Sequence, residues 1–105
     1  MKSVTVQELK KMIEEKDEFQ LIDVREPFEN EICSLNGVLI PMAQIEDRKS
    51  EINKDKKVII HCRSGARSGN AIGFLESNYG FDNLYNLSGG ILAWAKEIDP
   101  EMETY

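Results

Sequence analysis

Residues Val58-Ile59-Ile60-His61-Cys62-Arg63-Ser64-Gly65-Ala66-Arg67-Ser68 decide how this chain folds. β-prone residues run straight into a cysteine, a short polar turn with one glycine follows, and Asn70 to Tyr79 then reads as an amphipathic helix. The run Val58 to Ile60 does not alternate, which suits a central strand buried on both faces. A strand that stops at a cysteine and restarts as a helix puts the sulfur at the carboxyl edge of a sheet. It also directs the unpaired N–H groups of the helix start toward that sulfur. This is the geometry of an anion cradle.

Upstream, Thr5 is placed to N-cap a helix, with Glu8 completing a capping box and Val4 and Leu9 forming a hydrophobic staple. Val6, Leu9, Met12 and Ile13 share one face of that helix, which frays near Lys16-Asp17. Phe19 to Val24 predicts a short strand, and Pro27 suits a first helical turn. Gly37 to Pro41 predicts a second strand, and Ala43 to Ile52 a helix with Ile45 and Ile52 inward. Asn53 to Lys57 is a solvated turn. Downstream, Ala71, Ile72 and Leu75, joined by Phe74, line the inner face of a helix. Leu84 to Leu87 is a last strand, and Gly89-Gly90 turns into a helix from Ile91 to Ile98 that carries Trp94, expected in the core. The tail from Asp99 is expected to be loosely held. Strands alternating with helices predict an α/β fold, a mainly parallel sheet with helices on both faces, in a single domain over 1–105.

The bulk numbers exclude other classes. The 105 residues are 41% hydrophobic and 30% charged, ordinary for a soluble globular chain. A formal charge of −6, from 13 basic and 19 acidic residues, disfavours nucleic acid and anionic membranes as partners. No apolar run approaches the roughly 20 residues of a membrane span, and the start Met1-Lys2-Ser3 leads into a polar segment rather than a signal-peptide core. Two cysteines, Cys33 and Cys62, do not make a disulfide framework, so the expected setting is reducing and cytoplasmic.

Cys62 begins a turn, Arg63 and Arg67 flank it, and a helix start faces it. Those conditions lower a thiol pKa and populate the nucleophilic thiolate. Leu21-Ile22-Asp23-Val24-Arg25-Glu26-Pro27, then the Cys62 to Ser68 loop, then Leu87-Ser88-Gly89-Gly90-Ile91-Leu92-Ala93-Trp94 together resemble a single-domain rhodanese. The resemblance implies a three-layer fold with a five-stranded, mainly parallel sheet. It also implies a sulfurtransferase, acting on thiosulfate or a related donor through a Cys62 persulfide, with no metal or organic cofactor. The implied partners are a small anionic sulfur donor and a cyanide or thiol acceptor; a protein acceptor is compatible.

In that scheme Cys62 is the nucleophile, and backbone N–H groups of Arg63, Ser64, Gly65, Ala66, Arg67 and Ser68 surround the sulfur it carries. Arg63, on the outer half of the loop, is expected to meet the anionic donor at the mouth. Arg67 closes the loop, either bracing the turn or holding donor oxyanions; the Ser64 and Ser68 hydroxyls either donate to the anion or cap the helix, capping being the preferred reading of Ser68. Asp23 and Arg25 lie at the end of a neighbouring strand and are read as support for the loop, with Arg25 pairing Glu29. Cysteine phosphatases of similar design have five residues between cysteine and arginine, whereas only Arg63, Ser64, Gly65 and Ala66 intervene before Arg67 here. The tighter ring favours a sulfane sulfur over a tetrahedral phosphate. His61 is read as a structural strand residue facing away from Cys62. Where rhodaneses read Gly-His-Ile-x-Gly-Ala, this chain has Ile32-Cys33-Ser34-Leu35-Asn36-Gly37-Val38. Cys33 is either a buried filler or a second, resolving thiol. A different class of function, a persulfide carrier handing sulfur to a protein partner, fits the same loop.

Overall fold

The computed structural model describes every residue from Met1 to Tyr105. In chain order its elements are β1 (Ser3–Val4), α1 (Val6–Glu14), β2 (Phe19–Asp23), α2 (Pro27–Ile32), β3 (Val38–Leu39), β4 (Lys57–His61), α3 (Ala66–Tyr79), β5 (Leu84–Leu87) and α4 (Gly90–Glu97). All five strands are parallel, in the order β1-β5-β4-β2-β3, so the apolar run before Cys62 is the central strand. Its side chains alternate between two cores. Val58 and Ile60 pack with Ile22, Ala71, Ile72 and Leu75 on the α3 side. Ile59 packs with Val4, Val6, Leu9 and Leu87 on the other side. Fully burying an Ile or Leu contributes about 1.5–3 kcal/mol relative to leaving it in water, so the sheet centre is the most strongly held part of the chain.

Thr5 caps α1 as expected, and the capping box is complete: Glu8 N–H donates to Thr5 Oγ1 at 3.0 Å and Thr5 N–H donates to Glu8 Oε1 at 2.8 Å. Ile13 departs from the expected buried face and is 45% exposed; α1 packs through Val6 and Leu9, with Met12 partly buried against the same core. The strand β1 was not anticipated; two residues carry no periodicity, and only pairing of Ser3 with Asn86 and Val4 with Leu87 makes it a strand.

The expected helix from Ala43 to Ile52 is absent. Two short 3₁₀ turns, Met42–Gln44 and Lys49–Glu51, stand there instead, although Ile45 and Ile52 are buried as expected. Two inward anchors seven residues apart do not make a continuous apolar stripe, and i→i+3 bonds take over. Conversely α3 starts at Ala66 rather than Asn70, because Gly65, at φ 112°, turns the chain into the helix at once. Phe74 lies at the border of the α3 stripe, 37% exposed, and meets Tyr79 edge-on. Trp94 is only half-buried, packed against the Ile59 core.

The segment after Asp99 is not loose. Met102 N–H donates to Asp99 O at 3.0 Å, and Tyr105 docks beside the Cys62 loop. No helix is long and apolar enough to cross a membrane.

Candidate active site

The parallel register sets the carboxyl ends of three strands side by side. Asp23 pairs with His61, and Ile60 with Asn86, so the residue after β4, Cys62, sits between the ends of β2 and β5. Cys62 is 1% exposed and joins the α3-side core with Ile60. Around its sulfur, Gly65 N–H donates to Sγ at 3.1 Å and Ser68 N–H at 3.4 Å, while Ser68 Oγ lies 3.3 Å away. Burial pushes the thiol up, but the Ser68 hydroxyl and the N–H groups of Ser68, Gly65 and Ser64 outweigh it, and the Cys62 pKa lies below its ordinary value. Ser68 therefore does not cap the helix. Gly65 is the N-cap and supplies no side chain, whereas Ser68, one turn in, faces the sulfur. The Ser68 hydroxyl also reaches Asn86 Oδ1 at 2.6 Å, and Asn86 Nδ2 donates to Gly65 O at 3.1 Å.

A second helix start secures the other half of the loop. Ile91 N–H donates to Cys62 O and Leu92 N–H to Arg63 O, at 3.0 and 3.1 Å. Such close approach needs a bare backbone at Gly90, where a Cβ would lie 2.8 Å from Cys62 O and closer still to Arg63 O. The Gly89-Gly90 motif is thus a clamp on the loop.

Neither arginine that flanks Cys62 is free. Arg67 donates to both carboxylate oxygens of Glu29, at 2.7 and 2.8 Å, a bidentate pair joining α3 to α2. These bonds hold the Glu29 carboxyl at about 2. Arg63 Nε–H donates to the main-chain oxygen of Tyr105 at 2.8 Å, and its Nη2 donates to the same atom. Ser64 and Ala66 are exposed on the outside of the turn.

Asp23 and Arg25 pair with each other, and Arg25 also binds the main chain of Glu29 and Cys33 and the Tyr105 hydroxyl; neither side chain is hydrogen-bonded to the Cys62 to Ser68 loop. Arg25 is fully buried, and the expected pairing with the Glu29 carboxylate is not formed; Asp23 takes its place. Arg25 Nε and Nη2 donate to Asp23 at 2.9 and 2.8 Å, while Nη2 also donates to Cys33 O at 2.7 Å and Nη1 to Glu29 O at 3.3 Å. Glu29 turns its carboxylate to Arg67 and offers Arg25 only its main chain. Burial pushes the Asp23 carboxyl up, but hydrogen bonds from Arg25 and Asn30 outweigh it, so it stays below its ordinary value. Cys33 Sγ accepts from Arg25 Nη1 at 3.7 Å, so Cys33 lines the Arg25 nest, and no disulfide joins it to Cys62. His61 is fully buried, with Nδ1 3.4 Å from Cys62 O, and burial pushes its pKa down, keeping it neutral.

Asn86, Tyr105 and the role of Glu29 were missed in the sequence. Glu29 alone carried a local signal, as the third residue of a helix opened by Glu26-Pro27. No cluster of three or more His, Cys, Asp or Glu side chains is arranged to hold a metal ion. The largest concavity, about 710 Å³ and lined by Ile13, Phe19, Leu21, Leu35, Trp94 and Met102 among others, lies apart from the Cys62 loop. The three smaller concavities, about 300, 350 and 290 Å³, are likewise lined by residues outside the Cys62 to Ser68 loop.

The family model described as Rhodanese-like domain matches residues 5–97. Among curated relatives, the chain is 40% identical over 89 residues to a sulfurtransferase of Allochromatium vinosum, covering 84% of this chain and 82% of that one. It is 39% identical over 113 residues to the chloroplastic rhodanese-like/PpiC domain-containing protein 12 of Arabidopsis thaliana, covering all of this chain but 38% of that protein. The chain spans only 27% to 38% of the first longer relatives it matches. Among solved structures, a rhodanese-like domain protein from Staphylococcus aureus superposes with a TM-score of 0.82 at 38% identity, over 93% of this chain and 95% of that one.

Proposed function

Because the chain belongs to the rhodanese-like domain family, we propose that it is a sulfurtransferase that carries sulfane sulfur on Cys62. The observation that carries this is the sulfur's setting: a buried thiol facing the N–H groups of Gly65 and Ser68 with its pKa lowered. The Cys62 thiolate attacks the outer sulfur of thiosulfate or a related donor. The donor's S–S bond breaks, and its electron pair leaves on sulfite. The Cys62 persulfide places negative charge on the outer sulfur, where helix-start N–H groups stabilise it. A thiolate or cyanide then attacks that outer sulfur, and the electron pair of the breaking bond returns to Cys62. This two-step covalent cycle gives ping-pong kinetics and uses no residue beyond the loop as a proton carrier. His61, buried and neutral, is not assigned a step.

A second reading is a persulfide carrier that passes sulfur to a protein. It is favoured by the engagement of both arginines, which leaves neither guanidinium free for a small anionic donor. Such a carrier loads Cys62 yet turns over thiosulfate and cyanide slowly. A reducing, cytoplasmic setting suits either reading, since both cysteines stand free in the fold.

Intact-protein mass after thiosulfate, then after cyanide, tests the proposal. The expected result is gain of one sulfur atom, lost on cyanide treatment and absent in Cys62→Ser. A sulfur that still loads in Cys62→Ser would overturn the assignment. Rapid steady-state turnover favours the enzyme, and loading without turnover favours the carrier.

A further inference from the structure

We propose that Tyr105 is a specificity-determining strap at this site, one that occupies the Arg63 guanidinium and thereby disfavours anionic reactants of Cys62. The proposal rests on the sulfurtransferase reading for its biological meaning, but its geometry stands apart from it. Tyr105 bridges the two arginines that flank the nucleophile. Its main-chain oxygen accepts from Nε and Nη2 of Arg63, the edge a guanidinium offers to a bidentate oxyanion. Its hydroxyl donates to Glu29 Oε2 at 2.6 Å, and Glu29 in turn holds Arg67. The same hydroxyl accepts from Arg25 Nη1 at 3.0 Å. The ring lies 5.0 Å from the Arg63 guanidinium carbon and 5.8 Å from that of Arg25, a cation–π contact with each.

Hydroxyl and ring together deliver the main-chain oxygen to Arg63. An oxyanion that seeks Arg63 must displace that oxygen and break the side-chain anchors behind it. An uncharged reactant needs neither. Strapped, Arg63 offers incoming anions little; released, it presents a full positive charge on the residue next to Cys62.

Alkylation of Cys62 by iodoacetate and iodoacetamide separates charge from size, since the two differ little in bulk. In each case the thiolate displaces iodide and forms an Sγ–C bond. Rate constants are read by mass at Cys62, in a Cys33→Ser background at low ionic strength. Tyr105→Ala, which removes ring and hydroxyl, is expected to raise the iodoacetate-to-iodoacetamide rate ratio about three- to tenfold, the scale of one cation–π contact plus one hydrogen bond. Tyr105→Phe keeps the ring and is expected to fall between. The gain disappears when Arg63→Ala is added. A ratio unchanged in both Tyr105 variants overturns the strap; where both rates nonetheless rise by the same factor, Tyr105 is a steric cover and not a charge filter. Thiosulfate loading is followed in parallel. A raised alkylation ratio with no loading in any variant overturns the thiosulfate reading and leaves the strap intact.

Discussion

At the scale of single residues, the Ser68 hydroxyl has one proton and three acceptors within reach: Asn86 Oδ1 at 2.6 Å, Gly65 O at 3.2 Å and Cys62 Sγ at 3.3 Å. While Cys62 is a thiol, its S–H can donate to Ser68 Oγ and the serine proton can stay on Asn86. When the thiolate forms, the hydroxyl gains by turning to the sulfur, because a charged acceptor makes the stronger bond. Ser68 therefore helps lower the Cys62 pKa only if it leaves Asn86. Ser68→Ala is expected to shift the pH profile of Cys62 alkylation to higher pH and to slow the reaction near neutrality roughly fivefold, the equivalent of about 1 kcal/mol. A profile that stays in place would mean that the proton remains on Asn86 and that the backbone N–H groups of Gly65 and Ser68 hold the thiolate unaided.

At the scale of elements, the loop is gripped between the starts of α3 and α4, and glycine permits both. Gly90→Ala would drive a methyl into Arg63 O and Cys62 O at a residue already at φ 61°. The expected cost is about 2–4 kcal/mol, seen as a melting temperature lower by roughly 10–25 °C, with slower loading of whatever remains folded. Gly73, inside α3 with nothing within 4 Å of an added Cβ, is the control: Gly73→Ala is expected to stabilise by about 0.5–1 kcal/mol. If the two substitutions cost the same, close approach at Gly90 is not what holds the loop. The same elements explain what was legible in the sequence. β2, β4 and β5 announced themselves through apolar runs, and α1 through its capping box, because those signals are local. β1 and the 3₁₀ turns did not, since their conformations are set by partners distant in sequence: β5 for Ser3–Val4, and the core that receives Ile45 and Ile52.

At the scale of the whole molecule, Cys62, Arg63, Gly65 and Ser68 could be read from one contiguous stretch, whereas the groups that hold them could not. Parallel crossovers bring Glu29, Asn86 and Tyr105 to the loop from three separate segments; Glu29 carries a local signal as a helix-start residue, but nothing in the local sequence of any of the three marks the loop as its partner. Glu29 is the hub, binding Arg67 of α3 and the Tyr105 hydroxyl with its carboxylate, and Arg25 with its main chain. Its carboxyl is depressed from 4.5 to about 2, chiefly by Arg67. A carboxyl depressed in the folded state stabilises the fold fully above its unfolded pKa of 4.5, and that stabilisation is lost as pH falls toward about 2. Arg67 is 37% exposed, so water and salt screen the pair, and its worth at neutral pH is about 1 kcal/mol rather than the full shift. Glu29→Gln is accordingly expected to lower the urea midpoint at neutral pH, with a gap from the parent that narrows as the pH is taken from 4.5 downward. Added salt should narrow the same gap at pH 7. A gap that stays constant across that range would locate the effect in packing around residue 29, not in the charge that ties α2, α3 and the Asp99–Tyr105 segment to the loop.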